Sequence, residues 1–550
     1  LWIGYLQWHF RTFESQMPPE PVIKAFKNIE CRDAVLAYDR TELEHDESGR
    51  PVTRWDGRTM KKHPVTGENI PDETAFTISQ RYINPSRAEW PKTDYVIGNP
   101  PFIGTRRMRL TLGDGYVEAL TKAMPNVPEN ADYVMYWWDQ AAELLRKGSL
   151  KQFGLITTNS ITQSFNRATL RRHLTAKDRL SIVFGIPDHP WVDSSDGADV
   201  RIAMTVAAAG EKEGERFVLT SERYGSDFEA QVTLSCTRGL IAEDLRIGAS
   251  PAAAVTLRAN ANIAYWGVKF YGDGFILTPE VADLLASGAG GSLARPFVSG
   301  RDLTGRHRGL MAIDCDGLTE DNLRDQYPHF YQYLLERVKP VREHNPRAFK
   351  RERWWIFGEN QPGMRRAIGH IDRFIATTET SKHRVFHFFP RHVLAEGTVA
   401  VIALDDAYFL GVLSSRTHVV WALAAGGRLG VGNDPRYNKT RCFDNFPFPD
   451  CSVVHKQQIR ELAEALDSHR KSRQAEHSSL TTTELYNVLE KIRSGSPLSV
   501  AEKETHEQGL TSVLKQIHDD LDAAVFAAYG WQSSLSDDEI LTRLVVLNAE

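Results

Sequence analysis

The chain has 550 residues, near-average apolar (41%) and charged (25%) fractions and a net charge of −5. These values argue against a disordered chain and against a uniformly basic nucleic-acid-binding protein, and no apolar run approaches the roughly 18 residues of a membrane-spanning helix. The five cysteines (Cys31, Cys236, Cys315, Cys442, Cys451) are scattered, suggest neither a zinc site nor a disulfide framework, and fit a reducing, cytoplasmic setting.

The chain opens Leu1-Trp2-Ile3-Gly4, without an initiator methionine or signal-peptide pattern, and is expected to start inside a fold. Residues 1 to about 40 alternate an amphipathic helix (Trp2, Leu6, Trp8, Phe10) with a strand-like piece at 22–29 that runs into Cys31 to Leu36. Residues 45–90 are polar and rich in Gly, Pro and charge, and read as an excursion from a sheet. From 94 to about 208, buried strands are expected at 95–97, 153–157, 180–186 and 200–206, with helices around 132–145 and 167–174 between them. That rhythm predicts βαβ units and a mainly parallel α/β sheet. Residues 211–291 are mixed and read as a connecting region. Residues 292–450 are β-rich and dense in Arg, Gly and aromatics, and 451–550 form a charged, helix-forming tail. No internal repeat is visible.

The segment Gly98-Asn99-Pro100-Pro101-Phe102-Ile103-Gly104 carries the most chemistry. It reads as a strand ending in a rigid turn at the carboxyl edge of a sheet, where open α/β folds hold their ligands. The Asn99 side-chain oxygen and the Pro100 carbonyl are placed to accept hydrogen bonds from an exocyclic amino group, drawing its lone pair out of conjugation for attack on a methyl group. Pro100 and Pro101 fix the backbone, and Phe102 offers a ring to a base swung out of a duplex. A plain strand-terminating turn has the same letters. With its apolar strand and glycine exit, DYVIGNPPFIG resembles motif IV of the amino-methyltransferases that act on adenine N6 or cytosine N4.

Other stretches fit that resemblance, each with an ordinary alternative. Asp33, with Ala34 beside it, follows an expected strand and suits the adenine amino group of S-adenosylmethionine; a loop aspartate would look the same. ADYVMYWW from Ala131 has core-like helical spacing and resembles motif V, which implies that Asp132 and the helix line the cofactor pocket together with Asn99. Phe153 to Asn159 is a strand ending in an amide, as in motif VI, where Asn159 is otherwise a cap. Phe184-Gly185-Ile186, with the strand after it, resembles motif VIII. Phe184 then flanks the flipped base opposite Phe102, or else is a core residue.

The order of motifs III to VIII, with a recognition region behind them, resembles the γ class of N6-adenine DNA methyltransferases. The segments PENADYVMYWWDQA, VSGRDL, GGRLGVGNDPRYNKTRCFDNFPFPD and AAYGW resemble the MmeI-like (type IIL) restriction-modification enzymes and related phage-defence methyltransferases. The resemblance implies a Rossmann-like catalytic domain over 1–210, with 45–90 inserted, and a β-rich target-recognition domain over 292–450. It further implies S-adenosylmethionine as cofactor, duplex DNA as partner and no metal for the transfer. Arg106 and Arg107 beyond the turn, and Arg301, Arg428, Arg436 and Lys439 in the basic segment, are the expected DNA contacts, against the alternative of solvated surface charge. Nothing before Asp33 supplies the family's glycine-rich cofactor turn or ribose carboxylate, so the sheet is expected to be incomplete at its amino-terminal side, with a missing segment or partner subunit supplying the rest. No PD-(D/E)xK nuclease pattern is found. Two rival readings remain: a specificity subunit or inactive fragment that reads DNA without modifying it, and an RNA or protein amino-methyltransferase.

Overall fold

The computed structural model describes the chain except residues 1, 14, 15, 19–29, 57, 58, 63–68, 73, 192–200, 225–229, 250, 252, 253, 289, 290, 344, 346 and 430–433; the strand expected at 22–29 lies outside the described residues. Strands run in the order Ala230–Gly239, Gly214–Tyr224, Leu180–Pro190, Arg201–Ala209 in one part of the chain, and Gln152–Thr158 pairs with the edge strand Tyr95–Gly98 in another. The chain divides into two compact units, one of Leu1–Thr157, Ser164–Leu180 and Ala207–Gly210, the other of Thr158–Gln163, Ser181–Val206 and Glu211–Glu550.

In the first unit, Tyr95–Gly98 pairs in parallel with Gln152–Thr158, Tyr95 opposite Gln152 and Gly98 opposite Leu155. The Val134–Arg146 helix packs its apolar stripe here, with Trp138 set edge-on to Phe153 at 5.3 Å. The Tyr95–Gly98 strand forms where the sequence predicts it, but it is not a buried strand. Lying at the sheet's edge, it leaves Tyr95 56% and Ile97 89% exposed.

The polar excursion is an antiparallel ribbon of nested strand pairs: Leu36–Ala37 with Ser86–Arg87, Arg40–Leu43 with Gln80–Ile83, Thr53–Trp55 with Phe76–Ile78, and Met60–Lys62 with Asn69–Pro71. Turns held by aspartate side chains interrupt it: Asp46 Oδ1 accepts from the Ser48 and Arg50 amides, and Asp72 Oδ1 from that of Thr74. Backbone ladders need no apolar alternation, so composition alone hides such a ribbon. The Asp114–Ala123 helix crosses it so closely that a Cβ on Gly115 would lie 1.7 Å from the Gln80 carbonyl oxygen, which restricts that position to glycine.

In the second unit, Gly214–Tyr224 and Ala230–Gly239 form an antiparallel hairpin, carrying the sheet past residue 210, where the sequence reading ended the catalytic domain. Two four-stranded sheets follow, in the orders Ala264–Trp266, Val399–Ile402, Arg373–Thr378, His387–Pro390 and Ile276–Leu277, Met311–Ile313, Ala294–Val298, Leu394–Ala395. They begin at 264, not 292, because the short strands 264–266 and 276–277 pair with partners far along the chain. Helices at Ala407–Ser414 and Arg416–Ala425 share a core with the long Val453–Glu476 and Thr511–Ala528 helices around Trp421, Ile459, Leu466, Leu514 and Leu521. No described helix is long and apolar enough to cross a membrane.

Among the described residues, three imidazoles lie inside this unit. Burial, aided by nearby guanidiniums, holds those of His418 and His518 down to about 3, and burial beside Arg470 and Lys471 holds that of His387 well below its ordinary value. A depressed folded-state value means that the unfolded chain takes up protons that the fold refuses. The stability they carry is complete above about pH 6.5 and lost as the pH falls below it. Urea unfolding is therefore expected to show a loss on the order of a few kcal/mol between pH 7 and pH 5, and a flat profile would contradict neutral burial.

Candidate functional site

The turn after Tyr95–Gly98 is built as its sequence suggests. Pro100 is buried, Phe102 half-buried, and Asn99 exposed with no side-chain hydrogen bond among the described residues. Its exit is tied down at several points. The Ile103 carbonyl accepts from the Tyr133 amide at 2.9 Å. The Thr105–Leu112 helix that follows has Gly104 at its cap and no capping side chain of its own. Asp132 does that work from elsewhere in the chain: its Oδ1 accepts from the Thr105 amide at 3.1 Å. Its Oδ2 accepts from Asn166 Nδ2 at 2.8 Å, while Asn166 Oδ1 accepts from the Asp132 amide at 2.8 Å. The structure thus gives Asp132, expected to line the cofactor pocket, the task of joining the turn to two helices.

Asp33 lies in the same unit. Its Oδ1 accepts from the amides of Val35 and Leu36, both at 2.9 Å, and its Oδ2 from the Tyr116 hydroxyl at 2.5 Å. Tyr116 spends its proton on Asp33, so its oxygen accepts from the Tyr133 hydroxyl at 2.6 Å. Burial raises both phenols, that of Tyr133 to about 12, so the pair stays protonated. A carboxylate has about four acceptor positions, and these donors leave one for a ligand amino group. The residues therefore fit a cofactor adenine at Asp33. Ala34 beside it accepts from Trp90 Nε1 through its carbonyl at 2.6 Å.

On the Val134–Arg146 helix, fully buried Asp139 accepts from Arg87 at 3.0 Å and from Arg172, and meets His173 Nε2 at 2.9 Å; Arg172 also bonds Glu143 at 2.8 Å. Burial alone would raise the Asp139 carboxyl, but His173 and the guanidiniums outweigh it and hold it below the usual range. Asp139, Glu143 and His173 have the spacing of metal ligands. Two arginines already neutralise their carboxylates, so the cluster works as a brace linking the base of the ribbon to this helix.

The remaining expected residues are spread. Arg107 is exposed, and its side chain makes no hydrogen bond or ion pair among the described residues; the side chains of Arg106 and Arg428 lie outside what is described. In the second unit, Asn159 donates to Asp188 at 3.1 Å, and Phe184 packs on Phe217 at 5.4 Å in mid-strand. Arg436, expected on DNA, is paired with Glu379 at 2.6 Å, and Lys439 faces Asp444 at 3.8 Å. Arg301 is exposed and has no such partner among the described residues. Sequence reasoning missed Tyr116, Asn166 and Arg87. Tyr116 and Asp33 are 83 positions apart, and no local pattern marks such a pair.

The Asp132–Asn166 pair yields a measurement. Asp132→Ala and Asn166→Ala should each cost about 1–3 kcal/mol, and the double variant little more, giving a coupling of roughly 1 kcal/mol or above. Amide exchange at Thr105 should quicken in both. Additive losses with unchanged exchange would show that the clamp does not hold the turn.

The family model for the MmeI DNA-methyltransferase domain matches residues 40–220, and that for the MmeI target recognition domain matches 264–450, starting where the paired sheets begin. DNA methyltransferase A of Bacillus subtilis (strain 168) is 23% identical over 520 residues, which is 89% of this chain and 52% of that protein. The structure of the type IIL restriction-modification enzyme MmeI in complex with DNA shares the fold, with a TM-score of 0.64 and 20% identity over 83% of this chain and 57% of that one. The chain spans about half the length of the curated relative it matches. Two domain models of one family, in succession and covering most of the sequence, show that the chain belongs to the MmeI-like DNA methyltransferases.

Proposed function

We propose that the chain methylates the N6 amino group of adenine at specific sites in duplex DNA, with S-adenosylmethionine as donor, within a restriction-modification or phage-defence system. The observation that carries this reading is the turn itself: an exposed Asn99 amide and a half-buried Phe102 ring on a backbone fixed by two prolines and clamped by Asp132. The relatives' printed names support DNA as the substrate.

Asn99 Oδ1 and the Pro100 carbonyl accept the two N–H bonds of the target amine, which turns its lone pair out of the ring. Phe102 stacks on the extruded base and holds it in line. Asp33 holds the donor's adenine through its remaining acceptor position. The bound donor supplies a methyl group on a sulfonium, an electrophile that an amine attacks directly. Asn99 Oδ1 and the Pro100 carbonyl, as acceptors of the amine's N–H bonds, would pass its surplus proton on to water once the methyl group has been taken up. Arg107, just beyond the turn, holds a phosphate of the extruded nucleotide.

Asn99→Ala should cut methylation by about 100-fold or more while leaving DNA affinity within about threefold, because it removes an acceptor used on the reacting amine and touches no phosphate. Equal loss of binding and turnover would make the turn purely structural. Phe102→Ala should weaken base extrusion by about 1–3 kcal/mol, read as reduced 2-aminopurine fluorescence at the target position. Unchanged fluorescence would take Phe102 out of the pocket.

A further inference from the structure

Tyr271, in the second unit, has a backbone φ of 54°, a left-handed conformation rare for a bulky side chain, and Gly272 follows at φ 146°. The ring is held on several sides. It rests on Gly358, where a Cβ would come within 2.5 Å of ring Cδ2. The buried Lys350 ammonium lies 3.0 Å from its centroid, and its hydroxyl donates to Glu359 at 2.7 Å. Despite these braces Tyr271 remains 43% exposed. A core residue would be buried and a surface residue would need no bracing. Strain, rigid support and exposure together mark a residue held ready for something outside the fold.

What lies around it indicates the ligand. Tyr271 lines a groove of about 610 Å³ together with Phe297, Ser299, Arg301, Asp273 and Glu396, a volume within the range of about 300–1,000 Å³ typical of small-ligand sites. Arg301 reaches the groove without a partner among the described residues, whereas Arg308 beside it is locked onto Asp302 and Ser299. An aromatic face takes a base, a free guanidinium takes a phosphate, and carboxylates accept from the amino groups of cytosine or adenine. Asp273 and Glu396 would repel a bare phosphate, so the mixture suits a whole nucleotide better than an inorganic anion.

We propose that this groove takes an unstacked nucleotide of the bound DNA, its base against Tyr271 and its phosphate on Arg301, separate from the base extruded at the Asn99 turn. The inference rests on the DNA-binding reading above.

The test uses the full chain with a pool of duplexes in which thymine is replaced by 5-iodouracil, which photo-crosslinks to aromatic rings stacked on it. Mass spectrometry should place a crosslink on Tyr271, kept in Tyr271→Phe and lost in Tyr271→Ala. Tyr271→Ala should weaken duplex binding about 5- to 100-fold, and Tyr271→Phe by about twofold or less. Arg301→Ala, an exposed position with little bearing on folding, should lower the salt slope of binding by about one. Duplex binding with crosslinks only elsewhere, an unchanged Arg301→Ala slope, or equal effects of the Phe and Ala variants would overturn the groove and leave the DNA-binding reading standing. A wild-type chain that fails to bind duplex would overturn both.

Discussion

A turn that must present an amide to solvent cannot be held by burying that amide. Asn99 is exposed and makes no side-chain bond among the described residues, so its rigidity has to be imported. The prolines fix two φ angles, but a turn rigid in itself can still swing as a body on its flanks. That freedom is removed by the Asp132 carboxylate, which caps the helix after the turn, and by the Tyr133 amide on the Ile103 carbonyl. Both contacts come from consecutive residues at the start of the Val134–Arg146 helix, the most heavily buried helix of its unit. The position of the candidate reacting groups thus follows from the packing of Trp138, Met135 and Tyr136, residues that touch no substrate.

Arginine usage in the second unit shows why basic composition is a poor map of a nucleic-acid surface. Arg295 and Arg365 share Asp314, Arg373 holds Glu464, Arg436 holds Glu379, and Arg342, Arg384 and Arg470 are buried on backbone carbonyls. A guanidinium already paired inside the fold has no counterion to release and adds nothing to salt-dependent affinity. In a chain of net charge −5, the electrostatic footprint then falls to the guanidiniums that lack partners among the described residues, such as Arg107 in one unit and Arg258, Arg301, Arg306, Arg347 and Arg366 in the other.

The sequence was legible wherever local chemistry decided the structure. The strands at 95–98, 152–158, 180–190 and 201–209 and the helices at 134–146 and 164–174 fall within a few residues of their expected places, because apolar periodicity and Gly-Pro punctuation are local signals, whereas the helices Thr105–Leu112 and Asp114–Ala123 were not expected. The turn at Asn99 is visible for the same reason. What stayed hidden depends on distant partners. The ribbon from 36 to 87 is held by backbone ladders and aspartate turns, the strands at 264–266 and 276–277 pair more than thirty positions away, and Tyr95 and Ile97 look buried only if the strand is assumed to be central. Among the candidate site residues, Asp33 and Asp132 stood out as carboxylates after or before an element. Their bonds to Tyr116 and Asn166 cross 83 and 34 positions, beyond the reach of any window.

Those two long-range bonds meet at one place. Tyr133 donates its hydroxyl to the Tyr116–Asp33 relay and its amide to the exit of the Asn99 turn, and Asp132, one residue earlier, caps the helix that follows. The carboxylate suited to a cofactor and the amide suited to a target base are therefore referred to a common origin, the first turn of one helix. Transfer between two bound molecules depends on their separation more than on the strength of either contact, and a displacement of about 1 Å is enough to lose on the order of 100-fold in rate. A shared origin makes errors in the two positions correlated: a shift of the helix moves the Asp33 carboxylate and the Asn99 turn together and leaves the distance between them nearly unchanged.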